Sequence, residues 1–123
     1  MKKILVIEDD NEVRDYLESV LSRAGYVVRT AGNGKEGVET FMDFPSDLVI
    51  TDIIMPEKDG IETIMDLRRV NGNLKVIAIS GGGRGEPENY LHSAKLLGAN
   101  LTMKKPFTNE EMLSAVKDLL KKN

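Results

Sequence analysis

Short apolar runs alternate along the chain with longer stretches in which apolar residues recur every three or four positions. The runs lie at residues 4–7, 26–28, 48–50 and 76–79, with a weaker one at 101–103. The first, third and fourth are continuously apolar and rich in β-branched residues, which is typical of parallel strands covered on both faces. The second and fifth are shorter or more polar, which favours positions at the edges of a sheet.

The stretches between these runs have the spacing of amphipathic helices. The predicted helices span residues 11–24, 35–44, 60–70, 88–97 and 109–122. Gly25 and Gly98 follow the first and the fourth, and Thr108 with Glu111 predicts a capping box at the start of the fifth. Strands that alternate with helices indicate an α/β fold with a parallel sheet and helices on both faces. Periodicity alone leaves the strand order open.

The same spacing predicts which helical side chains face the core. Ala24 on the first helix, Met42 on the second and Met65 on the third all fall on the predicted inward stripes. Together with Met112 on the fifth helix, the two methionines are predicted to fill gaps in the core, because the unbranched side chain adapts to irregular spaces.

Length and composition restrict the class of protein. The chain has 123 residues, which predicts a single domain over 1–123. It has no cysteine, so disulfides and thiolate metal sites are excluded. A net charge of -3 argues against direct binding to nucleic acid. The apolar run at 4–7 stops at Glu8, which is too short for a signal core or a membrane span, so we expect a cytoplasmic protein with no membrane contact.

Polar side chains follow four of the five predicted strands. In open α/β sheets, ligands bind beyond the carboxyl ends of the strands. The first strand is followed by Glu8, Asp9 and Asp10, and the third by Thr51 and Asp52. The fourth is followed by Ser80 and a glycine run, and the fifth by Lys104 and Lys105. The sequence therefore predicts a polar site at this edge of the sheet.

The charges of these residues suggest the ligand. Glu8, Asp9 and Asp52 would repel one another if they were gathered at one place. Oxygen donors with no histidine or cysteine favour a hard cation such as Mg²⁺. With this cation and Lys105, the three carboxylates would sum to about zero charge. Such a site accepts a further negative group, for example a phosphoryl group on a carboxylate, at modest cost.

With these residues in place, the chain resembles the receiver domains of two-component response regulators, and among them the chemotaxis-regulator-like ones, over essentially its full length. The motifs that carry the resemblance are residues 4–10 (ILVIEDD), 51–56 (TDIIMP) with Asp59 and Gly60, 76–80 (VIAIS) and 105–107 (KPF). The resemblance implies a flavodoxin-like, doubly wound sheet of order 2-1-3-4-5 with five helices.

The resemblance also implies a role for each site residue. Asp52 would accept a phosphoryl group from a histidine kinase or a phosphotransfer protein. Mg²⁺ would be held by Asp9, Asp52 and the backbone carbonyl of Ile54, with Glu8 acting through water. The protein would be a conformational switch rather than an enzyme, apart from catalysing its own phosphorylation and dephosphorylation.

Lys105 and Ser80 would contact the phosphoryl oxygens, and the Lys105–Pro106 bond would be cis. Lys104 competes with Lys105 for this role, but the residue directly before proline is the family's position. Ser80 and Thr102 occupy the switch positions. Thr102 departs from the family, which usually carries an aromatic ring at this position. The way in which phosphorylation changes the output surface must therefore differ. A downstream protein would dock on the face formed by the predicted helix 88–97, the fifth strand and the last helix.

Several alternatives remain open from the sequence. The glycine-rich residues 81–85 lack the Gly-Lys-Ser/Thr of a phosphate loop, and we expect a flexible connector. Ordering of this loop on phosphorylation is an alternative hypothesis, because the loop follows Ser80. His92 stands alone and is expected to be structural. One alternative function is an aspartyl phosphohydrolase, but that class of enzyme carries a second acid at the position that Ile54 occupies here. Another is a binding scaffold that works without phosphorylation, and such a scaffold would not need the acids and Lys105. We expect a stand-alone receiver rather than part of a longer regulator.

Overall fold

A parallel sheet of five strands forms the centre of the fold. The computed structural model describes residues 1–53, 60–81, 95 and 98–121. The strands are β1 (Lys3–Ile7), β2 (Val27–Ala31), β3 (Leu48–Asp52), β4 (Lys75–Gly81) and β5 (Leu101–Lys105). The helices in this part of the chain are α1 (Asn11–Arg23), α2 (Gly34–Asp43), α3 (Gly60–Val70) and α4 (Asn109–Lys121).

The strand order is β2-β1-β3-β4-β5, and every neighbouring pair is parallel. This confirms the flavodoxin-like order and the edge positions expected for the second and fifth strands. The chain proceeds outwards in opposite directions from the centre of the sheet, since β1 leads to β2 and β3 leads to β4 and β5. The switch point between β1 and β3 is where such sheets bind ligands.

The core lies on both faces of the sheet, because successive side chains of a strand point to opposite faces. On one face, Leu5 and Ile7 of β1 pack in a buried cluster with Phe41 of α2 and Leu67 of α3. On the other face, the buried cluster contains alternate residues of the same strands and the inward residues of α1 and α4. These include Ile4, Val6, Leu17, Leu21, Met112 and Val116. The three central strands are therefore covered on both sides.

Side chains cap the starts of α1 and α4, and the second of these caps was predicted from the sequence. The Asp10 carboxylate accepts hydrogen bonds from the backbone N–H groups of Glu12 at 2.9 Å and Val13 at 3.3 Å. At the start of α4, Thr108 N–H donates to Glu111 Oε1 at 2.8 Å and Glu111 N–H donates to Thr108 Oγ1 at 3.0 Å. The predicted capping box is confirmed, and it satisfies backbone donors that a helix start leaves unpaired.

The helix boundaries agree with the predictions to within about two residues where the structure describes them. The described residues contain four helices rather than the five predicted. The predicted helix 88–97 falls outside the described residues except for Lys95, whose backbone is helical. Within the described segments, no helix combines the length and apolar character needed to span a bilayer.

Three predicted core positions are wrong. Met42 is 60% exposed, Met65 is 38% exposed, and Ala24 is exposed as well. On α2 the buried positions are Gly34, Gly37 and Phe41. Two of these three are glycines, which carry no apolar side chain and so do not register in a hydrophobic pattern. The hydrophobic pattern therefore missed these two positions and placed the inward face of α2 too close to Met42.

Gly60 brings the start of α3 against the end of β3. Its N–H donates to the carbonyl oxygen of Ile53 at 2.7 Å. A Cβ atom on Gly60 would overlap the carbonyl oxygen of Asp52 and lie 2.5 Å from the Cα of Ile53. Both obstacles are backbone atoms, which cannot turn aside as a flexible side chain can. Glycine is therefore required here by close approach of two backbones.

Replacing Gly60 with alanine should destabilise the fold by about 3 kcal/mol, because the added methyl group forces α3 away from β3. Urea denaturation of Gly60→Ala against wild type measures the difference in the free energy of unfolding. Gly72→Ala is the matched control, because a Cβ atom there meets nothing within 4 Å. It should remain within about 1 kcal/mol of wild type. Equal stability of the two variants would contradict the close-approach argument.

Candidate functional site

Three acidic side chains meet at the carboxyl ends of two central strands. Glu8 directly follows β1 and Asp52 ends β3, and these strands are hydrogen-bonded neighbours. Carboxylate oxygens of Glu8, Asp9 and Asp52 lie within 4.8 Å of one another. Glu8 is fully buried, Asp52 is 6% exposed, and Asp9 is exposed. The structure thus gathers the acids that the sequence placed at this edge of the sheet.

Lys105 reaches these acids from the end of β5. Its Nζ atom donates to Glu8 Oε1 at 2.5 Å and to Asp52 Oδ2 at 3.1 Å. The Lys105–Pro106 peptide bond is cis, as the resemblance implied. Lys104 precedes it on the strand and is exposed. Of the two candidate lysines, Lys105 is the one that contacts the carboxylates.

Ser80 and Thr102 lie on the strands beyond Asp52. Ser80 follows Ile79, the β4 residue whose Cα pairs with that of Asp52. Its side chain is buried, and among the described residues its Oγ atom has no hydrogen-bond partner. Thr102 is half-buried and pairs with Ala78, two residues before Ser80 on β4. Ser80 is therefore level with the site, whereas Thr102 lies further back along the sheet.

Burial and the neighbouring acid make Glu8 a weak acid. The pKa of Glu8 is raised from 4.5 to about 8, mainly by burial and next by the adjacent Asp52 carboxylate, while Lys105 opposes both effects. Burial lowers the pKa of Lys105, but its hydrogen bond to Glu8 and the charges of Asp52 and Glu8 outweigh that effect and raise it overall. Lys105 therefore stays protonated while it donates hydrogen bonds to both acids.

The donor set suits a small hard cation. All three acids offer oxygen atoms, and the chain has no cysteine. Among the described residues, Glu8 Oε2 is a buried carboxylate oxygen without a hydrogen-bond partner, which is costly unless something else approaches it. The carboxylates of Glu8, Asp9 and Asp52 thus fit Mg²⁺. The predicted ligand Ile54 lies outside the described residues, as do His92 and residues 82–85 of the glycine-rich stretch.

The backbone around Asp52 is held by its neighbours. Thr51 Oγ1 donates to the carbonyl oxygen of Asp52 at 3.0 Å. The N–H of Ile53 donates to the carbonyl oxygen of Ile79 at 3.0 Å, so the ladder between β3 and β4 continues past Asp52. With the Gly60 contact on the other side, these bonds restrict the backbone that carries the Asp52 carboxylate.

The sequence did not single out Arg14, yet its side chain contacts the site. The Arg14 Nη1 atom donates to the carbonyl oxygen of Glu8 at 2.9 Å. The available signal was weak, since it consisted of one arginine on the first helix, a few residues after the acidic run. A surface arginine on a helix is common, and only the three-dimensional path of its side chain distinguishes this one.

Comparison with known proteins gives consistent matches. A family model described as the response regulator receiver domain matches residues 4–117. The response regulator receiver protein CpdR of Brucella abortus (strain 2308) is 42% identical over 81 residues, which are 66% of this chain and 68% of that protein. The transcriptional regulatory protein CpxR homolog of Haemophilus influenzae is 32% identical over 123 residues. This chain aligns over its whole length but spans only 52% of that relative.

A solved structure agrees with the fold as well. The crystal structure of a response regulator receiver domain protein from Clostridium thermocellum superposes with a TM-score of 0.91 at 27% sequence identity. The match covers 98% of this chain and 95% of the other. The similarity therefore extends over the whole sheet with its helices.

The raised pKa of Glu8 predicts a pH-dependent stability in the absence of metal. Because the folded-state pKa is above the unfolded value, the stabilisation is complete below about pH 4.5 and is lost as the pH rises through about 8. In EDTA, the free energy of unfolding of wild type should fall by on the order of 4 kcal/mol between pH 5 and pH 9. Urea denaturation at several pH values measures this loss.

Glu8→Gln should flatten that profile and should be more stable than wild type at pH 9, since an amide does not ionise. Glu18→Gln on the exposed side of α1 is the matched control and should follow wild type. If Glu8→Gln lost stability in parallel with wild type across the range, Glu8 would not be the group responsible.

Proposed function

The chain belongs to the response regulator receiver domain family of two-component signalling, and from that premise we propose that a histidine kinase or a phosphotransfer protein phosphorylates it on Asp52. Phosphorylation of an aspartate is general in this family. The observation that carries the proposal is the contact of Lys105 Nζ with Asp52 Oδ2 at 3.1 Å, beside two further acids. Asp52 is the acid of this group that ends a central strand.

In the proposed reaction, a carboxylate oxygen of Asp52 attacks the phosphorus atom of a phosphohistidine. The new P–O bond forms as the P–N bond breaks, and the imidazole leaves with the bonding electron pair and takes up a proton. The product is an acyl phosphate on Asp52, which water later hydrolyses. The backbone bonds around Asp52 support this role, because positioning and charge stabilisation account for most of the catalysis in phosphoryl transfer.

Lys105 and Ser80 are the proposed partners of the phosphoryl group. The Lys105 ammonium has three donors, so it can contact a phosphoryl oxygen while it stays close to the acids. The Ser80 hydroxyl is buried without a partner among the described residues, and a phosphoryl oxygen on Asp52 would provide an acceptor. This contact would compensate for the desolvation of the hydroxyl, and it gives Ser80 a reason to shift when Asp52 is modified.

Asp9, Asp52 and the backbone carbonyl of Ile54 are the proposed ligands of Mg²⁺, with Glu8 acting through a water molecule. When bound, the ion neutralises negative charge on the carboxylates and on the incoming phosphoryl oxygens. The spacing of the carboxylates supports this assignment, since their oxygens lie within 4.8 Å of one another. Ile54 is assigned from the sequence resemblance alone.

Receiver domains are typically switches rather than enzymes, and we infer that catalysis here is limited to self-phosphorylation and dephosphorylation. An aspartyl phosphohydrolase places a second acid two residues after the nucleophile. Ile54 stands at that position in this chain, and its side chain cannot transfer a proton. The phosphorylated state, rather than turnover of an external substrate, is therefore the proposed output.

The proposed output surface is formed by β5, α4 and the predicted helix over residues 88–97. β5 is an edge strand, so one of its long sides is not covered by another strand of the sheet. Thr102 at the usual aromatic position cannot swing a ring, which leaves movement of Ser80 and the adjoining backbone as the proposed signal. The proposed partner is a protein that binds this face in one phosphorylation state, rather than nucleic acid or a membrane. The location is proposed to be cytoplasmic.

Incubation with acetyl phosphate and Mg²⁺ should add one phosphoryl group to the wild-type protein, as measured by intact mass spectrometry. Asp52→Asn should remain unmodified, because an amide is a much poorer nucleophile than a carboxylate. EDTA should abolish the modification of wild type, since the repulsion between acids and phosphoryl group would no longer be neutralised.

Asp43→Asn is the matched control, because Asp43 is an exposed aspartate at the end of α2. It should be modified to the same extent as wild type. A phosphoryl adduct on Asp52→Asn, or none on wild type, would contradict the assignment of Asp52.

A further inference from the structure

Arg14 turns back from α1 over the connection between β1 and α1. Its Nη1 atom donates to the carbonyl oxygen of Glu8 at 2.9 Å, and its Nη2 atom donates to Oδ1 of Asn11. The guanidinium group thus joins the residue that ends the β1 side of the connection to the first residue of α1. A planar group with a fixed set of donors determines the relative position of the two ends more closely than a single ammonium would.

The other backbone groups of this connection are also held. The N–H of Glu8 donates to the carbonyl oxygen of Ala31 on β2 at 3.0 Å. The carbonyl oxygen of Asp10 accepts the N–H of Arg14 at 2.9 Å. Hydrogen bonds therefore hold the chain on both sides of Asp9, and the Arg14 side chain holds the Glu8 carbonyl.

The connection between β2 and α2 leaves room for the guanidinium group. A Cβ atom on Gly32 would lie 3.3 Å from Arg14 Nη1, which is tighter than an ordinary van der Waals contact. Arg14 is half-buried beside this glycine. Gly32 therefore permits the approach that brings Nη1 to the Glu8 carbonyl.

We propose that Arg14 is a positioning residue that orients the Glu8 and Asp9 carboxylates for the divalent cation. The inference rests on the proposed Mg²⁺ site. A positive charge close to a cation weakens binding by simple Coulomb repulsion. Arg14 strengthens binding nonetheless, because it holds the peptide between the two acids in the orientation that the cation requires. Geometry and charge thus predict opposite effects when Arg14 is removed.

Titration of the ¹⁵N-labelled protein with MgCl₂, followed by backbone amide NMR shifts, measures the dissociation constant directly and without any phosphoryl donor. Arg14→Met keeps most of the apolar stem and removes every donor. Its Mg²⁺ affinity should be roughly tenfold weaker than that of wild type, as is typical when a group that orients metal ligands is lost. Arg23→Met, on the exposed last turn of α1, removes the same charge and should bind Mg²⁺ at least as tightly as wild type.

Two further variants separate positioning from general loss of structure. Arg14→Lys can still donate one hydrogen bond to the Glu8 carbonyl and should recover part of the affinity. Gly32→Ala displaces Nη1 without changing any charge and should weaken Mg²⁺ binding a few-fold. These two variants provide the test if Arg14→Met does not fold, and thermal melts in EDTA verify the folding of each protein.

Unchanged or tighter Mg²⁺ binding by folded Arg14→Met, or by both Arg14→Lys and Gly32→Ala when Arg14→Met does not fold, would overturn the inference. It would show that charge, rather than the Glu8 contact, governs the effect of this residue. A wild-type protein without saturable Mg²⁺ binding would overturn the proposed metal site and the inference together. The wild-type titration therefore distinguishes failure of the proposed function from failure of the role of Arg14.

Discussion

The ion pair between Lys105 and the two buried acids is the interaction on which the site depends. A parallel sheet brings the ends of β1 and β3 side by side, and the residues there are Glu8 and Asp52. Two carboxylates that are buried close together repel each other and lose their hydration. Lys105 compensates for part of that cost with hydrogen bonds of 2.5 Å and 3.1 Å. The remainder is visible in the raised pKa of Glu8.

The proposed binding of a cation and of a phosphoryl group would relieve this residual cost. A cluster whose acids were fully satisfied by the protein would have little affinity for a cation or for a phosphoryl group. Here one Glu8 oxygen and the Ser80 hydroxyl are buried without hydrogen-bond partners among the described residues. The rest of the fold tolerates this arrangement because the central strands are buried on both faces by two apolar clusters. Burial of the sheet thus offsets the destabilisation that the buried polar atoms of the site cause.

Precision at the site comes from contacts behind it. Gly60 allows α3 to approach the backbone at Asp52, and the Thr51 hydroxyl holds the Asp52 carbonyl from within β3. Directly after the neighbouring strand β1, the Arg14 side chain holds the Glu8 carbonyl. None of these three residues needs to touch a ligand. Each restricts a backbone segment that carries an acid, so the carboxylates converge without having to be ordered at the moment of binding.

The sequence by itself determined the alternation of strands and helices, the capping box at Thr108 and the acids at the strand ends. These follow from local periodicity and from residue types that have one physical use at a given place. Strand order came from the resemblance, since periodicity carries no information about neighbours. Only the tertiary structure decided that Met42 and Met65 are exposed and that Arg14 reaches Glu8. The inward face of α2 and the path of the Arg14 side chain depend on which backbones approach closely, and the absence of a side chain at Gly37 and Gly32 permits that approach.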